Sequence, residues 1–470
     1  MDEIDKSKPS DAENSDFSKG SIARAILRLT LPLTLAQLIN ITYSVVDRIY
    51  LGNLPGAEHL ALTGVGLTFP VIFIIMSVAS LCGTGGGPLF AIARGKGEDE
   101  EAERIMGNAF TMLLFFGVIL TAFVITFRKP ILYLFGASDD TYPYAGDFLM
   151  FYSAGSIFVM ISLGMNPFIN AQGFGRIGML TVALGAIVNL IIDPIFIFAL
   201  GMGVRGAGLA NVIAQFCSAV WVMLFLTGKK TLLRVRLSSM KLQIKRVRRI
   251  LSLGFAGFCM NLTTSLTQIV CNVTLQRHGG DLYVGIMAVI NSLRDVISMP
   301  ITGMSSGAVP VLGYNYGAGE PERVRKAIKF FVIVTAVYAA LMEALLMLVP
   351  GPLIRVFNND PDFIATGVPA LRIYFSLFVF MSLQLSTQNV FLGLGKSKHA
   401  IFFTLLRKAM LAAPLTIILP LLGMGTNGVF IAEATSQFIG GVACFSTMFI
   451  VVYRRLGVRD SDLAQGAVTE

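Results

Sequence analysis

Charge is what this 470-residue chain has least of: Asp, Glu, Lys and Arg make up 14% of it, against about a quarter in soluble domains. Hydrophobic residues make up 54% and mean hydropathy is +0.72, which excludes an ordinary soluble enzyme and a disordered chain. Cysteine is scarce too. The five (Cys82, Cys217, Cys259, Cys271, Cys444) all lie in apolar runs without metal-ligand spacing, so neither a disulfide framework nor a zinc module is implied. The three histidines, His59, His278 and His399, fall near loops, which removes a His-dependent intramembrane serine protease. No G-x-x-x-x-G-K-[ST] segment occurs, so nothing points to ATP. Residues 1–20 are polar and lack the apolar core of a signal peptide; they read as a disordered cytosolic tail.

What the chain has is long apolar runs. A helix needs about 20 apolar residues to cross about 30 Å of hydrocarbon. Runs of that kind fall near 26–51, 60–83, 105–127, 144–167, 178–200, 206–227, 250–275, 284–310, 327–349, 369–391, 402–422 and 427–452. Barrel strands would alternate strictly over about ten residues, and these runs do not. The expectation is an all-α polytopic membrane protein with twelve transmembrane helices.

The net charge of +9 would suit nucleic acid only on a soluble surface. With both termini cytoplasmic, most Lys and Arg fall on the cytoplasmic side, leaving Arg48, Arg294 and Arg372 as the cations counted within spans; that is the positive-inside pattern. Segment 228–249 holds nine basic residues and no acidic one, and reads as a cytosolic linker beside anionic headgroups. The expected organisation is a tail (1–20), an N-terminal six-helix lobe (21–227), this linker (228–249), a C-terminal six-helix lobe (250–455) and a second cytosolic tail (456–470).

The two lobes are related by a repeat. At a shift of 222, Gly85 meets Gly307, Pro88 Pro310, Gly97 Gly319, Tyr152 Tyr374 and Gln215 Gln437, and LGMG at 200–203 recurs at 422–425. Between these anchors a shift of 220 matches QGFGR (172–176) to LGLGK (392–396) and Pro194 to Pro414. Six spans per copy give both copies one orientation, as in transporters built from parallel repeats around a central cavity.

An ionised side chain at bilayer centre costs about 2.5–3.5 kcal/mol on insertion scales, so each one needs a reason. Asn40, Tyr43 and Asp47 share one helix face, as do Asn189 and Asp193. At about 1.5 Å per residue, Asp47, Asp193 and Asn211 converge on one level in the outer half of the bilayer. Close carboxylates cannot both ionise freely, so this cluster suits a proton switch, or a Na⁺ site built from Asp47, Asn189, Asp193 and Asn211. Pro194, lacking an N–H, frees the carbonyl of Leu190 and marks a hinge beside Asp193. The repeat does not copy the acids: Asp47 maps near Ile269 and Asp193 to Ala413, which confines the ion chemistry to the N-terminal lobe. Arg294, Asp295 and Glu433 are further embedded charges that suit a substrate cavity, with Asn40; Glu343 has no assigned role. The 35 Phe and 21 Met suit an adaptable surface for lipophilic compounds.

LPLTLAQLINITYSVVDRIYLGNLPG, GTGGGPLFAIARGKGEDEEAER, QGFGRIGM and NLIIDPIFIFALGMGVRGAGLAN, with GMSSGAVPVLGYNYGAGEPERVRKA in the second half, resemble the multidrug and toxic compound extrusion (MATE) transporters. The resemblance runs from about residue 20 to 455. It implies two six-helix lobes and export of cationic or amphipathic compounds. It also implies antiport against H⁺ or Na⁺ by alternating access, with no other cofactor, in the cell membrane. In the prokaryotic branch with an N-lobe ion site the motif positions match Asp47, Asn189 and Asp193, with Tyr43 near them; Asn211 stands where Thr is frequent. A second branch carries acids in spans seven and ten, which this chain lacks.

Other readings remain. The same superfamily includes flippases of lipid-linked precursors, and a metabolite exporter would use the same scaffold; few arginines lie within the spans, which favours cations or neutral amphiphiles. An intramembrane aspartyl protease would show GxGD, whereas Asp193 sits in LIIDP. The expected partners are small organic compounds and membrane lipid, with no nucleic acid, and a monomer suffices for function.

Overall fold

The structure, a computed structural model, describes residues 17–52 and 63–456. Most of the sequence tails (1–16 and 457–470) and the loop holding His59 lie outside the described residues. Among those described there is no strand. In chain order the α-helices are α1 Ile22–Gly52, α2 Phe69–Gly95, α3 Asp99–Leu134, α4 Tyr142–Ala154, α5 Ser156–Ala171, α6 Gly175–Pro194, α7 Val204–Thr227 and α8 Ile244–Gly317. The remainder are α9 Pro321–Leu348, α10 Pro350–Arg355, α11 Pro361–Phe375, α12 Phe378–Gly393, α13 Ser397–Leu405, α14 Ala413–Leu419 and α15 Gly425–Met448.

Eight helices are long and apolar enough to cross a membrane by themselves, and two bent pairs, α4 with α5 (54°) and α11 with α12 (44°), raise the number to ten. Two of the eight are too long for one crossing. Helix α8 has 74 residues, about 110 Å at helical rise, and breaks at Gly280 (φ 69°, ψ −165°). The stretch Ser397–Tyr453 has 57 residues and breaks at Gly423 and Gly425, whose φ values are 92° and 53°. Each of these is two spans, which makes twelve among the described residues. Large apolar side chains such as Leu31 (64% exposed) and Ile191 (57%) point outward, as lipid contact requires and water would not tolerate in such number.

The two bent pairs were read from sequence as unbroken spans. The fourth bends at Gly155, where a side chain would meet Val212 at 2.5 Å. The tenth bends before α12, and there Glu343 finds its role: its Oε2 accepts the Val379 N–H at 3.0 Å, a helix-start donor with no partner inside the helix.

The chain divides into two compact units, Met1–Gly20 with Leu27–Gly254 and Ser21–Ile26 with Phe255–Glu470. In the first, α2 crosses α5 so closely that a methyl group on Gly83 would stand 2.8 Å from the Gly164 carbonyl, which is what the Gly-rich run of α2 permits. In the second, Phe375, Phe378 and Phe430 are fully buried around Tyr374.

The segment read as a basic linker between the lobes is a strap bound to the first unit. The side-chain oxygen of Gln172 accepts hydrogen bonds from Thr231 Oγ1 and the Leu232 and Leu233 N–H groups at 2.7–2.9 Å. Asn108 donates to the carbonyls of Ser239 and Lys241 and accepts from Gln243 N–H at 2.9 Å. Arg246 clasps Glu101 with both nitrogens, at 2.6 to 3.0 Å. Phe17, assigned to the tail by its sequence, is 3% exposed, with Arg94 5.5 Å from its ring centroid; Arg94 donates to the Ala171 carbonyl, next to Gln172.

The backbone also revises the repeat. Positive-φ glycines pair at a shift of 222 in Gly97/Gly319, Gly173/Gly395, Gly201/Gly423 and Gly203/Gly425, and the helices after them start together at Gly175 and Ser397. The shift of 220 is therefore wrong for this stretch. In the corrected register Pro194 meets Thr416 and not Pro414, and Asp193 meets Leu415 and not Ala413. Both copies of the helix contain π-helical turns, at Ile195–Ala199 in the first and at Leu406–Ala412 and Pro420–Met424 in the second.

Candidate functional site

Helices α1, α6 and α7 bring Tyr43, Asp47, Asn189, Asp193 and Asn211 together. Asn189 Nδ2 donates to Asp193 Oδ1 at 3.3 Å, the i, i+4 contact expected on one helix face. Asn211 Nδ2 lies 3.5 Å from Tyr43 Oη and joins α7 to α1. Asp47 and Asp193 are electrostatic neighbours across α1 and α6, and two neighbouring carboxyls do not both ionise freely. Asp193 is 1% exposed, and its Oδ2 receives no N–H or O–H donor among the described residues. A buried carboxylate in that state costs several kcal/mol unless a proton or a cation joins it.

Beside this cluster is a cavity of about 440 Å³. Tyr43, Asp47, Asn189 and Asn211 are part of its wall, as is Asn40, while Asp193 lies behind Asn189. Phe69, Phe73 and Met76 supply an apolar side. Sequence reading missed Tyr152, Ser162 and Gln215, which also line it; Ser162 Oγ donates to Gln215 Oε1 at 2.9 Å. The repeat carried a signal for two of them, since Tyr152 and Gln215 recur as Tyr374 and Gln437.

At Pro194 the α-helix gives way to the π-turn Ile195–Ala199 immediately beyond Asp193. A hydrogen-bond ladder that changes register beside the acid widens the helix there, and such turns concentrate at functional positions.

Arg294, Asp295 and Glu433 belong to the second unit and do not line this cavity. Arg294 pairs with Asp295 at 2.9 Å and donates to Tyr374 Oη at 3.4 Å. Glu433 is 3% exposed; its Oε1 accepts from Lys408 Nζ at 2.8 Å and lies 3.7 Å from Arg407 Nη2. Both cations sit inside the eleventh span and were overlooked in the sequence, where only Arg48, Arg294 and Arg372 were counted within spans. The signal was plain: two adjacent basic residues in LLRKAML.

Comparison with known proteins follows the same division. A sequence model of the MatE family matches twice, at residues 32–195 and 258–418, together more than half of the chain. The multidrug export protein MepA of Staphylococcus haemolyticus is 22% identical over 436 residues, covering 93% of this chain and 94% of its own. MepA of Staphylococcus aureus is 22% identical over 453 residues, covering 96% and 98%. Among solved structures, a crystal structure of MATE in complex with MaL6 superposes with a TM-score of 0.87, at 22% identity over 94% of this chain and 99% of the other. An outward-facing multidrug resistance MATE family transporter of the MOP superfamily gives 0.85, at 22% identity over 92% and 96%. Twelve spans in two matched halves, a polar cluster inside the first, and a family model that fits both halves lead to one statement: the chain belongs to the MatE family, the multidrug and toxic compound extrusion transporters.

Proposed function

We propose that this protein is a secondary active exporter in the cell membrane that moves small organic cations or amphiphiles outward in exchange for inward H⁺, with the ion carried by the Asp47–Asp193 pair. The observation that carries this reading is the gathering of those two carboxyls beside a cavity of about 440 Å³ whose wall includes Asp47 and Asn189. Two neighbouring carboxyls hold one proton between them more readily than they hold two negative charges. The aromatic and methionine side of the cavity suits a flat lipophilic compound, and the amides of Asn189 and Asn211 suit its polar end. The relatives named as multidrug export proteins support the same direction of transport.

In this mechanism one proton bound at Asp193 lowers the charge of the pair from −2 to −1 and favours the face of the alternating-access cycle that releases substrate outside. Asn189 holds Asp193 in place, and the π-turn after Pro194 lets the end of the helix shift without unwinding α6. An inward proton contributes about 2.3 kcal/mol per 100 mV, besides its concentration gradient.

The test is efflux of a fluorescent organic cation from proteoliposomes under separately imposed pH and Na⁺ gradients. A pH gradient should drive wild-type export, and Asp47→Asn or Asp193→Asn should stop coupled export while leaving the detergent-solubilised protein monodisperse and helical. Wild-type flux in either variant would sink the assignment. Export driven by Na⁺ alone would replace the proton with a Na⁺ ion held by Asp47, Asn189, Asp193 and Asn211.

A further inference from the structure

In the second half the positions equivalent to part of the first cavity's wall carry charge of the opposite sign. At the shift of 222, Gly185 and Ala186, in the wall of the first cavity, become Arg407 and Lys408; Ser162 and Gln215 become Gln384 and Gln437. Packing supports that register. A side chain on Gly185 would meet Ser218 Oγ at 2.5 Å, and one on Gly440, the partner of Ser218, would meet Arg407 Cγ at 2.9 Å and Gln384 Oε1 at 3.0 Å.

Arg407 is 8% exposed, and its guanidinium stands beyond hydrogen-bond reach of the nearest carboxylate. Its nearest opposite charge, Glu433, is 3.7 Å away and already accepts from Lys408. Two buried cations thus face one buried carboxylate. Arg294 adds a third cation nearby, but its partner Asp295 is 65% exposed. Gln437 is 0% exposed and neither of its amide atoms has a partner, and Gln384 Oε1 has none. Arg407 lies five residues inside the eleventh span (402–422), about 8 Å deep, where bulk water gives the charge little support. Water would satisfy the idle donors but would leave the excess positive charge uncompensated.

We propose that this cluster is a monoanion site, with the Arg407 guanidinium as the principal donor and Lys408 and Gln437 beside it. Arg suits a carboxylate because its planar fork matches both oxygens. The anion is the carboxylate of an organic compound or a halide ion. Glu433 holds Lys408 and limits the site to a single negative charge. The π-helix Leu406–Ala412 carries both cations, as the π-turn at Ile195 follows Asp193 in the first half. The site is independent of the ion pair at Asp47 and Asp193 and survives the failure of that reading.

Equilibrium binding of radiolabelled benzoate and, separately, radiolabelled chloride to the purified full-length protein tests it. Saturable binding of one of them at one site per chain is expected, benzoate marking an organic carboxylate and chloride a halide. Arg407→Gln should weaken binding by about tenfold or more, the value of a hydrogen bond to a charged group. Glu433→Gln removes the competing carboxylate and should tighten it. Opposite effects of the two variants cannot arise from a merely structural cluster. No saturable binding of either anion, or a change in the same direction in both variants, overturns the proposal; if Arg407→Gln does not fold, Lys408→Gln takes its place with the same expected direction.

Discussion

Arg407 lies against Gly440 in the second half as Gly185 lies against Ser218 in the first, 222 residues earlier. One scaffold thus holds a small residue facing a cavity in one copy and a guanidinium in the other. The duplicated backbone was kept while the side chains at equivalent places diverged in charge. The first copy gathers two carboxyls, and the second gathers two cations around one.

Asn211 occupies the level of Asp47 and Asp193 and bonds Tyr43. Asn211→Thr keeps a polar oxygen and should retain coupled export within about threefold, whereas Asn211→Leu should lower it by up to about tenfold, the scale of one hydrogen bond. Initial efflux rates at a fixed pH gradient measure both; equal rates in the two variants would remove Asn211 from the site.

Gly254 closes a helix crossing on which the first unit depends. A methyl group there would stand 1.8 Å from the Leu81 carbonyl oxygen, and backbone cannot give way as a flexible side chain can. Gly254→Ala should cost about 1–3 kcal/mol or more, seen as a lower thermal midpoint in detergent. An unchanged midpoint would mean that α2 and α8 do not approach this closely.

Asn108 fastens the strap. It is fully buried and serves two carbonyls and one N–H of residues 239–243. Asn108→Ala leaves those groups without partners at about 1–3 kcal/mol each, so amide hydrogen exchange should accelerate over 239–243 while the helices on either side stay protected. Uniform acceleration across the first unit would show instead that Asn108 supports the whole fold.

Pro194 separates an α-helical from a π-helical turn. Pro194→Ala restores an N–H to the Leu190 carbonyl, so the midpoint of unfolding should rise and the export turnover fall, with substrate affinity little changed. A variant with wild-type turnover would separate the proline from the transport cycle.

Much of this protein was legible in order of residues because the physics involved is local. An apolar run of about 20 residues has few fates other than a membrane helix. Asn189 and Asp193 share a face wherever that segment is helical. The four-residue spacing therefore put Asn189 beside Asp193 before any contact was known. The same locality misled elsewhere: the proline in each half invited a shift of 220, which the positive-φ glycines reject. The strap was unreadable because its fixation depends on Gln172 and Asn108, far away in sequence. The basic run of 228–249 shows charge but not which carbonyls face an amide.

The sequence by itself determined that the chain is a duplicated set of membrane helices carrying costly carboxyls in its first half, since composition, period and repeat are properties of residue order. Only the tertiary structure decided which of those polar groups meet. Whether Asp47 neighbours Asp193, whether Glu433 is alone or held by Lys408, and how far Arg407 stands from a carboxylate all depend on how separate helices pack. A buried charge is settled by its neighbours within a few ångströms, and that neighbourhood is created by folding.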